Sequence, residues 1–104
     1  MDRNDLQLLY DIMVEDCHYT FRLSTTRERY IVDQKQMFSA VARHFGATYQ
    51  EIGDFLLCGH SNVINSVKRT RDCMDVYPEV KKRFNRIKDE FEFRTKGVPL
   101  WVGD

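Results

Sequence analysis

Every convincing hydrophobic period along this chain is helical. Leu6, Tyr10, Met13 and Cys17 recur at i, i+4, i+7 and i+11, one stripe of an amphipathic helix that Asn4 or Asp5 is placed to cap. Between His18 and Arg29 the period is lost, and Thr, Ser and Arg dominate what reads as a basic connection. A second helix is predicted from about Tyr30 to Phe45, with Met37, Phe38, Val41 and Phe45 on its inner face. Gly46 stands where that helix ends, because glycine accepts the left-handed conformation that closes a helix.

The sharpest local signal follows. In Thr48-Tyr49-Gln50-Glu51 the threonine hydroxyl can accept from the amide of Glu51, whose carboxylate can reach back to the amide of Thr48. The helix this capping box starts is short, carries Ile52, Phe55 and Leu56, and reaches Gly59 within about two turns. Gly59 or Ser61 caps a fourth helix with Val63, Val67 and Met74 on one face. A fifth starts near Pro78, which suits a first helical turn, and carries Val80, Phe84, Ile87 and Phe91 at helical spacing. There is no internal repeat and no low-complexity segment. The expected fold is all-α with five helices.

Length and composition narrow the class. The 104 residues, 42% hydrophobic and 31% charged, suit one compact domain, read as residues 1–94 with a tail over 95–104 that contains Leu100-Trp101-Val102. No stretch approaches a membrane span, and Met1-Asp2-Arg3 does not open a signal peptide. Three irregularly spaced Cys do not make a disulfide framework. The expectation is a cytoplasmic protein, with no membrane partner.

Net charge is formally zero, but its distribution is uneven. Up to Thr20 the charges are Asp2, Arg3, Asp5, Asp11, Glu15 and Asp16, which is acidic. From Phe21 to His44 they are Arg22, Arg27, Glu28, Arg29, Asp33, Lys35 and Arg43, which is basic. Two further basic clusters follow, Lys68, Arg69 and Arg71, then Lys81, Lys82, Arg83, Arg86 and Lys88. A neutral chain can therefore still present one basic face.

Thr48 to Arg71, a short capped helix, a tight turn and a longer helix, has the outline of a helix-turn-helix. In such a motif the second helix lies in the major groove with its N-terminal side chains on base edges. His60, Ser61, Asn62 and Asn65 are short groups able to hydrogen-bond bases, Asn being suited to adenine. Lys68, Arg69 and Arg71 follow where phosphates would lie. A plain helical hairpin with a solvated polar face has the same outline.

The run EIGDFLLCGHSNVINSVKRTRD resembles the C-terminal DNA-binding domain of the bacterial chromosomal replication initiator DnaA, which is TrpR-like in fold. Glu51-Ile52-Gly53 matches the family's Glu-Ile-Gly helix, and His60-Ser61-Asn62-Val63 its His-Thr-Thr-Val segment. Lys35-Gln36-Met37 matches the Arg-Gln-Met opening of the helix after its basic loop. The resemblance extends loosely over residues 5–93 and is specific around residues 51–69. It implies double-stranded DNA as partner, in replication initiation, its control or transcriptional regulation, in a bacterium or phage. His60 and Ser61 would read bases in the major groove, and Arg27, with Arg29 as substitute, would enter the minor groove. Lys35, Gln36, Thr48 and Tyr49 would contact the backbone, helped by helix amides that can hold a phosphate. Three departures imply a different target sequence: Gly59 replaces an Asp, Asn62 replaces the second Thr, and the turn is one residue shorter.

Other chemistries are weakly represented. No Gly-x-x-x-x-Gly-Lys-[Ser/Thr] loop is present, so no nucleotide is expected. Cys17-His18, Cys58-x-His60 and Cys73 lack the paired spacing of zinc ligands, so neither metal nor cofactor is expected. Cys58, His60, Asp54 and His44 could supply a nucleophile and a base, but no oxyanion loop or paired carboxylates accompany them, and no enzyme activity is expected. His44 reads as a partner for helix-end carbonyls, and Tyr30 and Tyr49 as seals between helices. The run Lys81–Lys88 reads as a solvated face with i,i+4 pairs. The rival to a DNA reader is a protein-interaction module docking on a replication or regulatory protein through the helix-turn-helix surface or the Leu100-Trp101-Val102 tail.

Overall fold

A computed structural model describes residues 3–18, 20–22 and 28–96. Five helices follow one another: α1 (Arg3–Cys17), α2 (Arg29–His44), α3 (Tyr49–Leu56), α4 (His60–Val76) and α5 (Pro78–Lys96). No strand occurs among the described residues. Thr95 and Lys96, read from the sequence as tail, continue α5, and Leu100-Trp101-Val102 lies outside the described residues. No described helix is long and apolar enough to cross a membrane.

α2 is the central element and lies against all four others, most extensively α4. Its second half is buried around most of its circumference: Met37, Phe38, Ser39, Ala40, Val41 and Ala42 are all inside. Small side chains at 39, 40 and 42 let neighbouring helices come close. The Ser39 hydroxyl donates to the Lys35 carbonyl at 2.8 Å, which removes the cost of burying it. Glycine ends this helix as its position suggests. Gly46 has φ +96°, its amide donates to the Arg43 carbonyl, and the Ala47 amide donates to the Ala42 carbonyl at 3.1 Å. Those two bonds are a Schellman motif.

The buried stripe of α1 is rotated from the one its period predicts. Leu6 and Met13 are inside as expected, but Leu9 and Ile12 are buried too, while Tyr10 and Cys17 are only partly covered. Tyr10 sits at the edge because its hydroxyl accepts from the amides of Phe21 (3.2 Å) and Arg22 (3.4 Å). Its ring also meets the edges of Phe21 and Phe55. Phe55, from α3, stacks on Phe38 of α2 with centroids 5.3 Å apart, so one aromatic cluster joins α1, α2 and α3. Emptying such a site typically costs about 3–5 kcal/mol.

α5 packs Phe84, Ile87 and Phe91 into the core, with Val80 partly covered. Phe45, expected on the inner face of α2, is half-buried and tilts against Phe91. His44 makes edge contacts with Phe45 and Phe84, so the role expected for it in holding carbonyls gives way to ring packing.

Candidate nucleic-acid interface

The helix-turn-helix outline is built from three local devices. At the start of α3 the Thr48 hydroxyl accepts from the Glu51 amide at 3.0 Å, and Glu51 Oε1 accepts from the Thr48 amide at 2.7 Å. The reciprocal pair is the capping box expected from the sequence. The bond from the Thr48 amide holds the Glu51 carboxyl below its ordinary range, so it stays charged. Both amides are thereby occupied, and a carboxylate already sits at the helix start. Of the amides expected to hold a phosphate at this helix start, that of Glu51 is taken up within the protein.

The second device is Gly53. A Cβ on it would stand 2.8 Å from the carbonyl oxygen of Cys58, closer than side chains approach backbone. Only glycine lets the turn fold back this tightly on α3, and the Cys58 amide closes it on the Gly53 carbonyl at 2.9 Å. Leu57 carries the reversal in the left-handed region (φ 59°, ψ 44°) with its side chain exposed. Third, Gly59 takes the extended N-cap conformation of α4 without a side-chain cap.

α4 then divides cleanly. Val63, Val67 and Thr70 are buried, and Met74 is partly buried on the same side. At about 100° per residue, Ser61, Asn65 and Lys68 lie opposite them on the outward midline. Asn62 lies about 70° from that midline on one side and His60 about 130° from it on the other, toward the edge of the buried stripe. All five are exposed, as are Ile64 and Arg69. Asp72 continues the midline a turn beyond Lys68, so the uninterrupted polar and cationic stretch is the first half of the helix. From His60 to Arg69 it spans about 14 Å, comparable to the width of a major groove. Arg71 turns aside and lines an open groove of about 390 Å³ between α4 and α5, with Met74, Lys81 and Phe84.

Neighbouring elements bring some expected residues to this face. Lys35 of α2 lies near the turn: burial pushes the Cys58 thiol up, and the Lys35 ammonium partly opposes that rise. Gln36 is half-buried on α2. Arg29 is exposed at the start of α2 and 3.9 Å from Asp33. Arg27 lies outside the described residues. Tyr49 is partly covered beneath the Arg43 guanidinium, 4.6 Å from its ring centre, and seals the α2–α3 joint. Tyr30, the other tyrosine expected at a helix joint, is 50% exposed.

Arg22 has a role the sequence did not reveal. Its Nε donates to the Phe55 carbonyl and its guanidinium lies 4.2 Å over the Phe55 ring. A cation thus meets the negative end of α3 and ties the start of the basic connection to the motif.

Lys81 and Lys82 of α5 are exposed, as a solvated face requires, but the arginines of α5 are engaged with other helices. Arg83 Nε donates to Asp16 at 3.0 Å and Arg86 to the same carboxylate at 2.7 Å. Arg83 also donates to Gln34. Arg94 pairs with Glu15 and with Glu90. These are ties between helices; only Arg94–Glu90 is an i,i+4 pair within α5. By contrast, among the described residues Lys68 and Arg69 form no ion pair with any carboxylate.

Cys17, Cys58 and Cys73 are half-buried and not joined in a disulfide. No group of three or more potential metal ligands comes together among the described residues. No protein family, curated protein or solved structure matches the chain.

Proposed function

We propose that this protein binds double-stranded DNA in a sequence-specific manner through α3 and α4, in replication initiation, its control or transcriptional regulation. One observation carries the reading. The outward face of α4 presents hydrogen-bonding groups and then Lys68 and Arg69, which form no ion pair among the described residues, whereas Arg83, Arg86 and Arg94 of α5 are paired with carboxylates of α1. A polyanion would supply the missing counter-charge, and base edges would meet the polar groups ahead of it.

On this reading Ser61 and Asn65 face the bases, His60 and Asn62 contact them from either side, and Lys68 and Arg69 hold phosphates. Lys35 and Gln36 add backbone contacts beside the turn, and Arg29 with Arg27 probes the adjacent minor groove. The likeness of residues 51–69 to the DnaA DNA-binding domain supports the same assignment. The acidity of the first helix lends the rival protein-docking reading less support, because Glu15 and Asp16 are engaged with α5.

Selection from random duplex DNA at low salt tests the proposal. An enriched motif that blurs for His60→Ala supports a sequence reader. No enrichment and no binding at low salt would overturn it.

A further inference from the structure

The outer face of α4 contains one residue that neither hydrogen-bonding nor charge accounts for. Ile64 is 36% exposed, one turn beyond His60, one turn before Lys68, and beside Asn65. Its apolar neighbours in sequence, Val63 and Val67, are buried, so Ile64 takes no place in the core. Among the described residues, the other exposed large hydrophobics are Tyr30, Leu57, Val76, Tyr77 and Phe93. None of these lies in the first three turns of α4, where a groove-bound helix meets base edges.

We infer that Ile64 is a specificity-determining residue that selects thymine by covering its 5-methyl group in the major groove. This rests on the DNA-binding reading above. The chemistry follows from what an A·T pair displays. Adenine offers N7 and N6–H₂, which an asparagine can engage with both ends of its amide, while thymine offers O4 and an apolar methyl. Adjacent residues of a helix point about 100° apart, so Asn65 and Ile64 address neighbouring positions along the groove rather than the same atom. An amide suited to adenine next to a branched alkyl group suited to a methyl makes this part of α4 a reader of A·T pairs. A β-branched side chain also fits the task because its rotamer is largely fixed by the helix.

The test uses the duplex selected by the wild-type protein, with each thymine replaced in turn by uracil. Uracil keeps every hydrogen-bonding group and loses only the methyl. At one position the wild-type protein should bind the uracil duplex about fourfold more weakly, the value of one buried methyl group. Ile64→Ala should bind the thymine duplex more weakly and no longer distinguish thymine from uracil there. Its salt dependence should match that of the wild type, since Ile64 touches no phosphate. Its helix content should be unchanged, because alanine is a better helix former than isoleucine. Equal binding of thymine and uracil duplexes at every position would overturn the inference, as would a uracil penalty undiminished in Ile64→Ala. Either result, obtained with an enriched motif, removes only the role of Ile64. A wild-type protein that enriches no motif and binds no duplex at low salt would overturn the DNA-binding reading, and this inference with it.

Discussion

Arg83 and Asp16 lie 67 residues apart in the chain, and their side chains meet at 3.0 Å between α5 and α1. Both are largely covered, and Arg86 donates to the second oxygen of the same carboxylate. Burial alone would raise the pKa of Asp16, but bonds from the two arginines outweigh it and hold the carboxyl below its ordinary range. A lowered folded-state value means the stabilisation is complete above the unfolded carboxylate pKa and is lost as pH falls through the folded one. Asp16→Ala should cost roughly 1–2 kcal/mol near neutral pH, an amount set between exposed and fully buried pairs. Urea unfolding near pH 7 and again near pH 3 should show the gap between variant and wild type narrowing in acid.

Gly53→Ala should destabilise the protein despite improving helix propensity. The gain is about 0.5–1 kcal/mol, and forcing a Cβ against the backbone carbonyl of Cys58 costs about 1–3 kcal/mol. Both the melting temperature and DNA affinity should fall, since the displaced element is the turn that sets α4 against α3. A melting temperature at or above wild type would mean the turn relaxes freely.

Gly59→Asp should act in the opposite direction. A Cβ at this position meets nothing within 4 Å, and the N-cap of α4 has no side-chain acceptor. An aspartate there caps the helix and complements its dipole, which is worth a few tenths of a kcal/mol or more over glycine. It also places an acidic group before His60, as in the DnaA pattern that residues 51–69 resemble. The selected motif should therefore shift toward cytosine at one position, because a carboxylate accepts from its N4 amine. Thermal melting and a repeated selection measure the two effects independently.

His60→Ala and Arg69→Ala should fail differently. The first should reduce discrimination between sequences. The second should weaken binding to all duplexes about equally and lower the log–log salt slope by about 0.9, one phosphate contact fewer. Titrations at several salt concentrations, on the selected site and on an unrelated duplex, separate the two. Indistinguishable behaviour of the variants would undo the assigned roles.

What the sequence made legible was decided locally. Four consecutive residues suffice for the Thr48–Glu51 capping box, and one glycine with the residues before it suffices for the close of α2. The need for glycine at 53 was not legible, because its constraint is the carbonyl of Cys58 brought back by the turn. The α1 stripe was misplaced for a similar reason. Tyr10 fits the helical period, but its hydroxyl is drawn to the amides of Phe21 and Arg22 at the edge of the core. Least legible was the state of the α5 arginines. Their carboxylate partners in α1 lie between 67 and 79 positions away, and a run of cations looks solvated until the fold supplies the acids. The same comparison separates Lys68 and Arg69 of α4 from the arginines of α5, which composition treats alike.

The pairing of α1 with α5 has an electrostatic consequence. A molecule with no net charge has no long-range monopole, yet its field need not vanish. Field lines that begin on Arg83, Arg86 and Arg94 end a few ångströms away on Asp16, Glu15 and Glu90, so that side acts as a closed circuit. Those that begin on Lys68 and Arg69 have no such nearby terminus among the described residues and leave through solvent. On the proposed reading that difference would turn the α4 face toward a polyanion before contact, while a molecule with no net charge drifts little in a uniform electric field.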